Sequence, residues 1–218
     1  MTTPAALRQD AQRNRERILE AAREAFKEHG LDAPLDEIAR RAGVGIATLY
    51  RRFPTRDALI EEVFVDGIRS FEQLAEDALQ IEDPWTAFST FIEQMCERQA
   101  ENWGLKDLMC MRFPDSKLMA SKRKRARATV LRLLARAQAE GAVRADVTPE
   151  DIEFVFWSNG RIVEATRDVA PNAWRRNLAL MLDAFRAENA HPLPERALTN
   201  RELHRSMSNF RPERRSGS

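Results

Sequence analysis

GVGIATLYRRF, residues Gly43 to Phe53, places two glycines directly before a short basic segment, and it is the most informative stretch of the sequence. A helix-turn-helix needs a small residue where its two helices cross and a residue that tolerates positive φ in the turn. Ala39 and Gly43 meet these two requirements. The stretch therefore predicts a helix-turn-helix whose second helix begins near Ile46.

The side chains of this segment fall into a buried group and an exposed group. Val44, Leu49 and Phe53 are apolar and are expected to hold the helix pair against the core. Hydroxyl and guanidinium groups bond DNA phosphates, whereas small aliphatic side chains contact thymine methyl groups. The residues expected to remain outside the core and to suit a DNA groove are Ile46, Ala47, Thr48, Tyr50, Arg51 and Arg52.

Capping residues and apolar periodicity predict an all-α protein, since little β-branched alternation is present to indicate strands. Thr55, Asp83 and Thr148 are typical N-cap residues. The prolines that follow Asp83 and Thr148 suit the first turn of a helix. We expect a unit of three short helices up to about Phe53, followed by about six longer helices.

The composition is that of a folded globular chain. Of its 218 residues 43% are hydrophobic, which is ample for a core, and the formal net charge is +1. No apolar secretion signal or membrane-length apolar stretch is visible, so a cytoplasmic location and no membrane partner are predicted. The two cysteines and three isolated histidines match no metal or catalytic motif. We therefore expect no enzyme activity, no cofactor and no metal site.

The segment from Arg15 to about Val63 resembles transcriptional regulators of the tetracycline-repressor (TetR) family. The resemblance rests on RILEAAREAFKEHG at residues 17–30 and on LDEIARRAGVGIATLYRRFPTRDALI at residues 35–60. It is specific, because TLY-x-x-F and the basic start of the next helix lie at the expected distance from I-A-x-x-A-G-V. The family implies an N-terminal three-helix helix-turn-helix head and a C-terminal helical domain that binds ligands and dimerises.

The resemblance also assigns roles to single residues of the head. It implies base-facing positions for Ile46, Ala47 and Arg51, backbone-facing positions for Thr48, Tyr50 and Arg52, and a phosphate clamp at Arg56. Gly45 stands at the start of the recognition helix, where many relatives have serine or threonine, and is included in this DNA-binding set. As a helix cap, glycine is only a few tenths of a kcal/mol weaker than those residues.

Three segments follow from the motifs and the resemblance together. Residues 1–54 are expected to form the helix-turn-helix DNA-binding domain, and residues 55–188 the helical effector-binding and dimerisation domain. Residues 189–218 contain Pro192, Pro194 and Pro212 and lose apolar periodicity, so they are expected to form a flexible tail.

The last two long helices carry apolar stripes that need a partner surface. Relatives pair these helices with those of a second copy in a four-helix bundle, so the resemblance implies a homodimer. The stripe residues assigned to that interface are Ile152, Val155, Phe156, Val163, Trp174, Leu178, Met181, Leu182 and Phe185. Asn159 and Gly160 would permit close approach or a polar contact there. Ordinary packing within one chain is the alternative.

Bulky, deformable residues are concentrated between the head and the last two helices. Relatives typically hold a small, often hydrophobic inducer in this region, which implies a pocket for an unknown effector. Its expected lining is Trp85, Phe88, Phe91, Met95, Trp103, Met109, Phe113 and Phe156. Glu93, Arg112 and Asn159 are candidates for a polar contact. An ordinary hydrophobic core explains such residues equally well.

These observations predict a DNA-binding transcriptional regulator. The expected form is a ligand-responsive homodimeric repressor that binds a palindromic double-stranded operator and is released by a small, hydrophobic effector. The alternative is a DNA-binding dimeric interaction protein without an effector.

Overall fold

The computed structural model describes residues 4–110 and 117–207, and the regular elements within them are helical. The head comprises α1 (Pro4–His29), α2 (Leu35–Arg41) and α3 (Ile46–Arg52). The remaining helices are α4 (Arg56–Ala78), α5 (Pro84–Glu101), α6 (Trp103–Cys110), α7 (Lys117–Ala139), α8 (Pro149–Thr166), α9 (Ala173–Phe185) and α10 (Asn200–Met207). The all-α prediction is confirmed.

The predicted N-caps determine where three long helices begin. The Thr55 hydroxyl accepts a hydrogen bond from Ala58 N at 3.1 Å, and an Asp83 carboxylate oxygen accepts one from Thr86 N at 2.7 Å. Thr148 and Asp151 form a reciprocal capping box at the start of α8. Each bond satisfies a backbone N–H group that has no partner inside its helix, so the sequence locates these helix starts correctly.

The first helix is longer than the short head helix that the sequence analysis predicts. α1 contains 26 residues and begins at Pro4, well before its buried stripe starts at Ile18. The polar stretch before Ile18 is rich in alanine, arginine and glutamine. These residues have high helix propensity, so the helix extends beyond the part that packs on the core.

Two large hydrophobic clusters lie in the described residues, and the first of them extends past the domain boundary expected at residues 54 and 55. The head cluster contains apolar residues of α1, α2 and α3, but also Leu59 and Val63 of α4 and Leu108 of α6. The second cluster joins the later part of α4 with α5, α7, α8 and α9. Three helices of this size bury too little apolar surface alone, so the head completes its core with α4 and α6.

Residues 189–207, which the sequence analysis assigns to a flexible tail, include the helix α10. Thr199 and Glu202 cap this helix reciprocally: Thr199 N donates to Glu202 Oε2 at 2.8 Å, and Glu202 N donates to Thr199 Oγ1 at 3.3 Å. Leu203 is only 3% exposed and packs with Trp157 of α8. The apolar contact and the capping box stabilise a helix despite the prolines before it. Residues 208–218 lie outside the described residues.

Candidate nucleic-acid interface

The turn between α2 and α3 has the geometry that its sequence predicts. Gly43 has φ of 63°, a left-handed conformation that favours glycine. Val44 N donates to Ala39 O at 3.0 Å and closes the turn. Leu49 is 1% exposed and anchors α3 on the head core. One face of α3 is therefore fixed, and the opposite face is free to meet a partner.

That opposite face carries the predicted DNA-binding side chains. Ile46 is 41% exposed and Tyr50 is 48% exposed, so both side chains are accessible to a partner. The other exposed members of the set are Gly45, Ala47, Arg51 and Arg52, whereas Thr48 is half-buried. The structure thus leaves these residues accessible to a partner, with Thr48 only half-buried.

The charges on this surface are available to a partner. Within residues 4–110 and 117–207, neither Arg51 nor Arg52 forms an ion pair with a carboxylate. By contrast, Arg41 of α2 binds both Glu37 and Glu28, at 2.6 and 2.8 Å. A guanidinium without a protein carboxylate keeps its full charge for DNA phosphates or for a guanine edge.

Arg56 has a role inside the chain that the sequence does not reveal. Its Nη1 atom donates to Leu31 O at 2.8 Å and to Ala33 O at 2.7 Å. The half-buried side chain therefore ties the start of α4 to the loop between α1 and α2. The bonded carbonyls lie 25 and 23 residues earlier in the chain, so no local sequence pattern indicates the contact.

Asp107 of α6 holds the same loop from the other side. Its Oδ2 atom accepts a hydrogen bond from Leu31 N at 2.9 Å. Burial raises the pKa of the Asp107 carboxyl, while the Leu31 N–H group and Lys106 oppose that rise. Lys106 lies 3.3 Å from both Asp107 and Glu164 of α8. Leu31, in the loop between α1 and α2, is thus bonded through its N–H to α6 and through its C=O to α4.

Close packing supports this connection between α6 and the head. A Cβ atom on Gly104 would lie 2.8 Å from Cζ of Phe64 and 3.0 Å from the backbone oxygen of Phe26. Only glycine allows α6 to approach α1 and α4 so closely. The head therefore has two attachments to the rest of the protein, the continuous helix α4 and the docked helix α6.

The predicted effector-pocket residues occupy three different settings. Phe88, Phe91, Met95 and Phe156 are at most 3% exposed in one hydrophobic cluster, against which Trp85 and Met109 pack as half-buried residues. Trp103 lies outside that cluster, with Lys106 Nζ 4.2 Å and Arg167 Cζ 4.6 Å from its ring centroid. Phe113 and Arg112 lie outside the described residues. The Trp103 ring serves cation–π packing, which apolar periodicity does not predict.

Buried amides cross this cluster between α5 and α8. Gln99 Nε2 donates to Phe156 O at 3.0 Å, and Asn159 Nδ2 donates to Gln99 Oε1 at 2.8 Å. Asn159 Oδ1 is buried and has no hydrogen-bond partner in the part of the chain that the structure describes. Asn159 thus faces α5 of its own chain, while Glu93, another polar candidate, is exposed.

A redox role for Cys96 is disfavoured by its setting. The residue is completely buried, and this burial raises the pKa of its thiol to about 12. Since the thiolate is the reactive form, such a cysteine is inert near neutral pH.

The residues assigned to the dimer interface are buried or half-buried within one chain in this structure. The buried ones in the main cluster are Ile152, Val155, Phe156, Val163, Trp174, Leu178 and Leu182, and the half-buried ones are Met181 and Phe185. The stripes of α8 and α9 pack inward, as the intrachain alternative proposed. The outward faces carry other apolar residues, including Phe154, 37% exposed, and Leu180, 61% exposed.

The geometry of the head and its sequence both agree with known proteins. Residues 18–63 match the family model of bacterial regulatory proteins of the tetR family, and residues 83–187 match the C-terminal domain of SbtR-like transcriptional regulators. A crystal structure of a TetR transcriptional regulator from Streptomyces coelicolor is 30% identical, with a TM-score of 0.52, over 79% of this chain and 98% of that one. The chain belongs to the TetR family. Members of this family are DNA-binding transcriptional regulators and not enzymes.

Two further similarities support less, because one covers a third of this chain and the other has low sequence identity. An HTH-type transcriptional regulator of Staphylococcus aureus (strain USA300) is 36% identical over 76 residues, which are 33% of this chain and 41% of that relative. FadR from Bacillus subtilis, solved with stearoyl-CoA, is 16% identical over 81% of this chain and 100% of that one, with a TM-score of 0.60. The first similarity covers less than half of that relative's length, and the second shows a shared fold.

Two features are absent from the described ranges. No helix there combines the length and the apolar character needed to cross a membrane. Nor do three or more histidine, cysteine, aspartate or glutamate side chains meet there in a way that could hold a metal ion.

Proposed function

We propose that the protein is a homodimeric repressor that binds a palindromic DNA operator in the cytoplasm and is released by a small, hydrophobic effector. The observation that carries the DNA-binding part is the outward face of α3, where exposed Tyr50 and the unpaired Arg51 lie opposite buried Leu49. Membership of the TetR family supports the same role.

On this proposal α3 lies in the major groove. Ile46, Ala47 and Arg51 face the bases, where methyl contacts and a bidentate guanidinium discriminate between base pairs. The residues proposed to contact the backbone are Thr48, Tyr50, Arg52 and Arg56. Backbone contacts set the register of the head but carry no sequence information themselves.

Arg56→Ala removes the proposed phosphate contact and the loop contacts together, and the salt slope and the stability report on them separately. Removing the guanidinium is expected to weaken binding to every duplex and to lower the salt slope of the dimer by about two, because one phosphate neutraliser is lost per subunit. It also removes two hydrogen bonds to the loop between α1 and α2, so the head should unfold more easily. Fluorescence titration over a salt series measures the slope.

Arg56→Lys provides the matched control, because it keeps the charge but cannot reproduce the paired carbonyl contacts equally well. A lower stability with an unchanged salt slope in Arg56→Ala would show that Arg56 only holds the loop.

Dimerisation supports DNA recognition physically. One head buries little surface, whereas two heads about 34 Å apart can address successive faces of the major groove. We place the interface on the outward faces of α8 and α9, since their inward stripes are occupied and Phe154 and Leu180 remain exposed.

Replacing Phe154 and Leu180 together with glutamate should therefore give a folded monomer in sedimentation velocity. Both side chains lie outside the main cluster, so the charges should disrupt the contact between subunits and leave the chain core intact. Leu131→Glu on α7, at a residue that is 40% exposed, is the control and should stay dimeric. A dimeric double variant would exclude this interface. Leu178→Glu should unfold the chain, because Leu178 is 3% exposed in its core.

The proposed effector acts by shifting a population of conformations. A ligand bound among α5, α6 and α8 would favour a spacing of the heads that no longer fits both half-sites, with a coupling of about 1–3 kcal/mol. The double attachment of Leu31, to Asp107 of α6 and Arg56 of α4, supports a route from those helices to the head.

A second candidate function is a DNA-binding dimeric interaction protein without an effector. The close packing of Phe88, Phe91 and Met95, each at most 2% exposed, favours this alternative. A thermal-shift screen separates the two, since a bound effector adds RT ln(1 + [L]/Kd) to stability. A dimeric protein without a ligand site should show no specific increase in melting temperature with any compound.

Selection of duplexes from a random pool tests the main proposal. The recovered sequences should contain two inverted half-sites, whose centres lie one helical turn or a multiple of it apart. Addition of an effector identified in the screen should release them. A pool that is not enriched over repeated rounds would overturn the proposal.

A further inference from the structure

A basic side chain of α1 reaches the turn of the helix-turn-helix. Arg17 is exposed, and its Nη1 atom lies 3.6 Å from the position that a Cβ atom on Gly43 would occupy. Gly43 is itself exposed and leads directly to the outward residues Gly45 and Ile46. The Arg17 guanidinium therefore lies beside the surface that α3 presents to DNA, although Arg17 belongs to a different helix.

Arg17 differs from other arginines of the head in its partner. Its Nη2 atom donates to the neutral amide of Asn14, at 2.7 Å from Oδ1. On the same helix, Arg15 is paired with Glu62 and Arg23 with Glu20. No carboxylate of the described residues forms an ion pair with Arg17. Arg17 thus keeps an uncompensated positive charge in an orientation that Asn14 helps to hold.

We propose that Arg17 binds a phosphate of the DNA backbone next to the segment contacted by α3, an inference that rests on the proposed DNA-binding function. A guanidinium forms paired hydrogen bonds with phosphate oxygens and remains charged at any physiological pH. Because Asn14 already orients the side chain, less rotamer freedom is lost on binding. The residue precedes the segment that matches the family model, which begins at residue 18.

A contact from α1 would fix how the head is oriented on the duplex. α3 alone can pivot about its own axis in the groove, whereas a second contact from another helix prevents that rotation. Phosphate contacts act in this way and do so independently of base sequence. Arg17 should therefore contribute equally to selected and unrelated DNA.

The test measures Kd by fluorescence anisotropy at several salt concentrations between about 50 and 200 mM. Full-length protein is titrated into a duplex of about 30 base pairs recovered by selection, and into an unrelated duplex of the same length. Arg17→Ala should raise Kd about tenfold on both duplexes and lower the salt slope of the dimer by about two. Arg17→Lys should restore the slope, because it restores the charge.

Arg23→Ala is the matched control, since Arg23 is an exposed arginine of the same helix that already pairs with Glu20 at 2.8 Å. It should leave Kd and the salt slope unchanged. If Arg17→Ala behaves like Arg23→Ala while Arg51→Ala loses affinity, the inference about Arg17 fails and the proposed function stands. An effect confined to the selected duplex would also overturn it. If wild-type protein binds neither duplex, the proposed function itself fails.

Discussion

Gly30→Ala should lower the free energy of unfolding by about 2–4 kcal/mol, because backbone strain and overcrowding act at the same position. Gly30 has φ of 77°, and an added Cβ atom would lie 2.2 Å from Oδ2 of Asp107. Asp107 would have to move, and its hydrogen bond with Leu31 N would be lost. Urea denaturation followed by circular dichroism measures the change.

Gly141→Ala separates the two causes. Gly141 has nearly the same backbone conformation, with φ of 72°, but an added Cβ atom would meet nothing within 4 Å. Gly141→Ala should lower the free energy of unfolding by only about 1–2 kcal/mol, because only the strain of an L-residue in the left-handed region acts there. Equal losses for Gly30→Ala and Gly141→Ala would show that the approach of Asp107 to this turn contributes nothing to stability.

Arg51→Ala should have the largest effect on operator binding. A bidentate contact between arginine and a base is worth about 1–3 kcal/mol, and a dimer loses two of them. Affinity for the selected duplex should fall by a factor of roughly 30 to 10⁴, while binding to unrelated DNA changes much less. Electrophoretic mobility shift with both duplexes measures the ratio.

Tyr50→Ala on the same face is the companion variant, and it should weaken binding while the head stays folded. Tyr50 is 48% exposed, so its ring contributes little to the core. Circular dichroism checks the fold of both variants. A melted head in Tyr50→Ala would show that Tyr50 has a structural role, and unchanged specificity in Arg51→Ala would remove Arg51 from the base-reading set.

The local features of the head could be predicted because short-range physics determines them. A glycine at positive φ, a small residue at the helix crossing and a buried Leu49 leave few other arrangements for residues 39–53. The N-caps at Thr55, Asp83 and Thr148 are equally local, since each side chain bonds an N–H group three residues later. Such features need no knowledge of distant contacts.

The fate of the apolar stripes could not be predicted, because periodicity indicates burial without indicating what covers the buried face. Leu178 and Val155 are as apolar as interface residues would be, yet α9 and α8 turn them toward their own core. Trp103 is a similar case, since an indole ring suits a pocket and a cation–π contact equally well. Only the packing of whole helices decides between these outcomes.

The attachments of the head also lie beyond local sequence patterns. Asp107 bonds a backbone group 76 residues earlier, and α6 and α1 meet only because the fold brings them together. The helix α10 is different, because its start is local. Thr199 and Glu202 form a capping-box pattern directly before and within this helix of eight residues. Pro192 and Pro194, which precede this pattern, favour a loop, and the sequence analysis therefore predicts a tail.

We propose that the outward face of α3, held by a dimer, recognises a specific double-stranded site. The most direct test is an equilibrium titration of the wild-type dimer at moderate salt, without effector, using a selected duplex and a shuffled duplex of identical composition. The selected duplex should bind about 10³-fold more tightly than the shuffled duplex, or better. Equal affinities for the two duplexes, with the dimer intact, would contradict it.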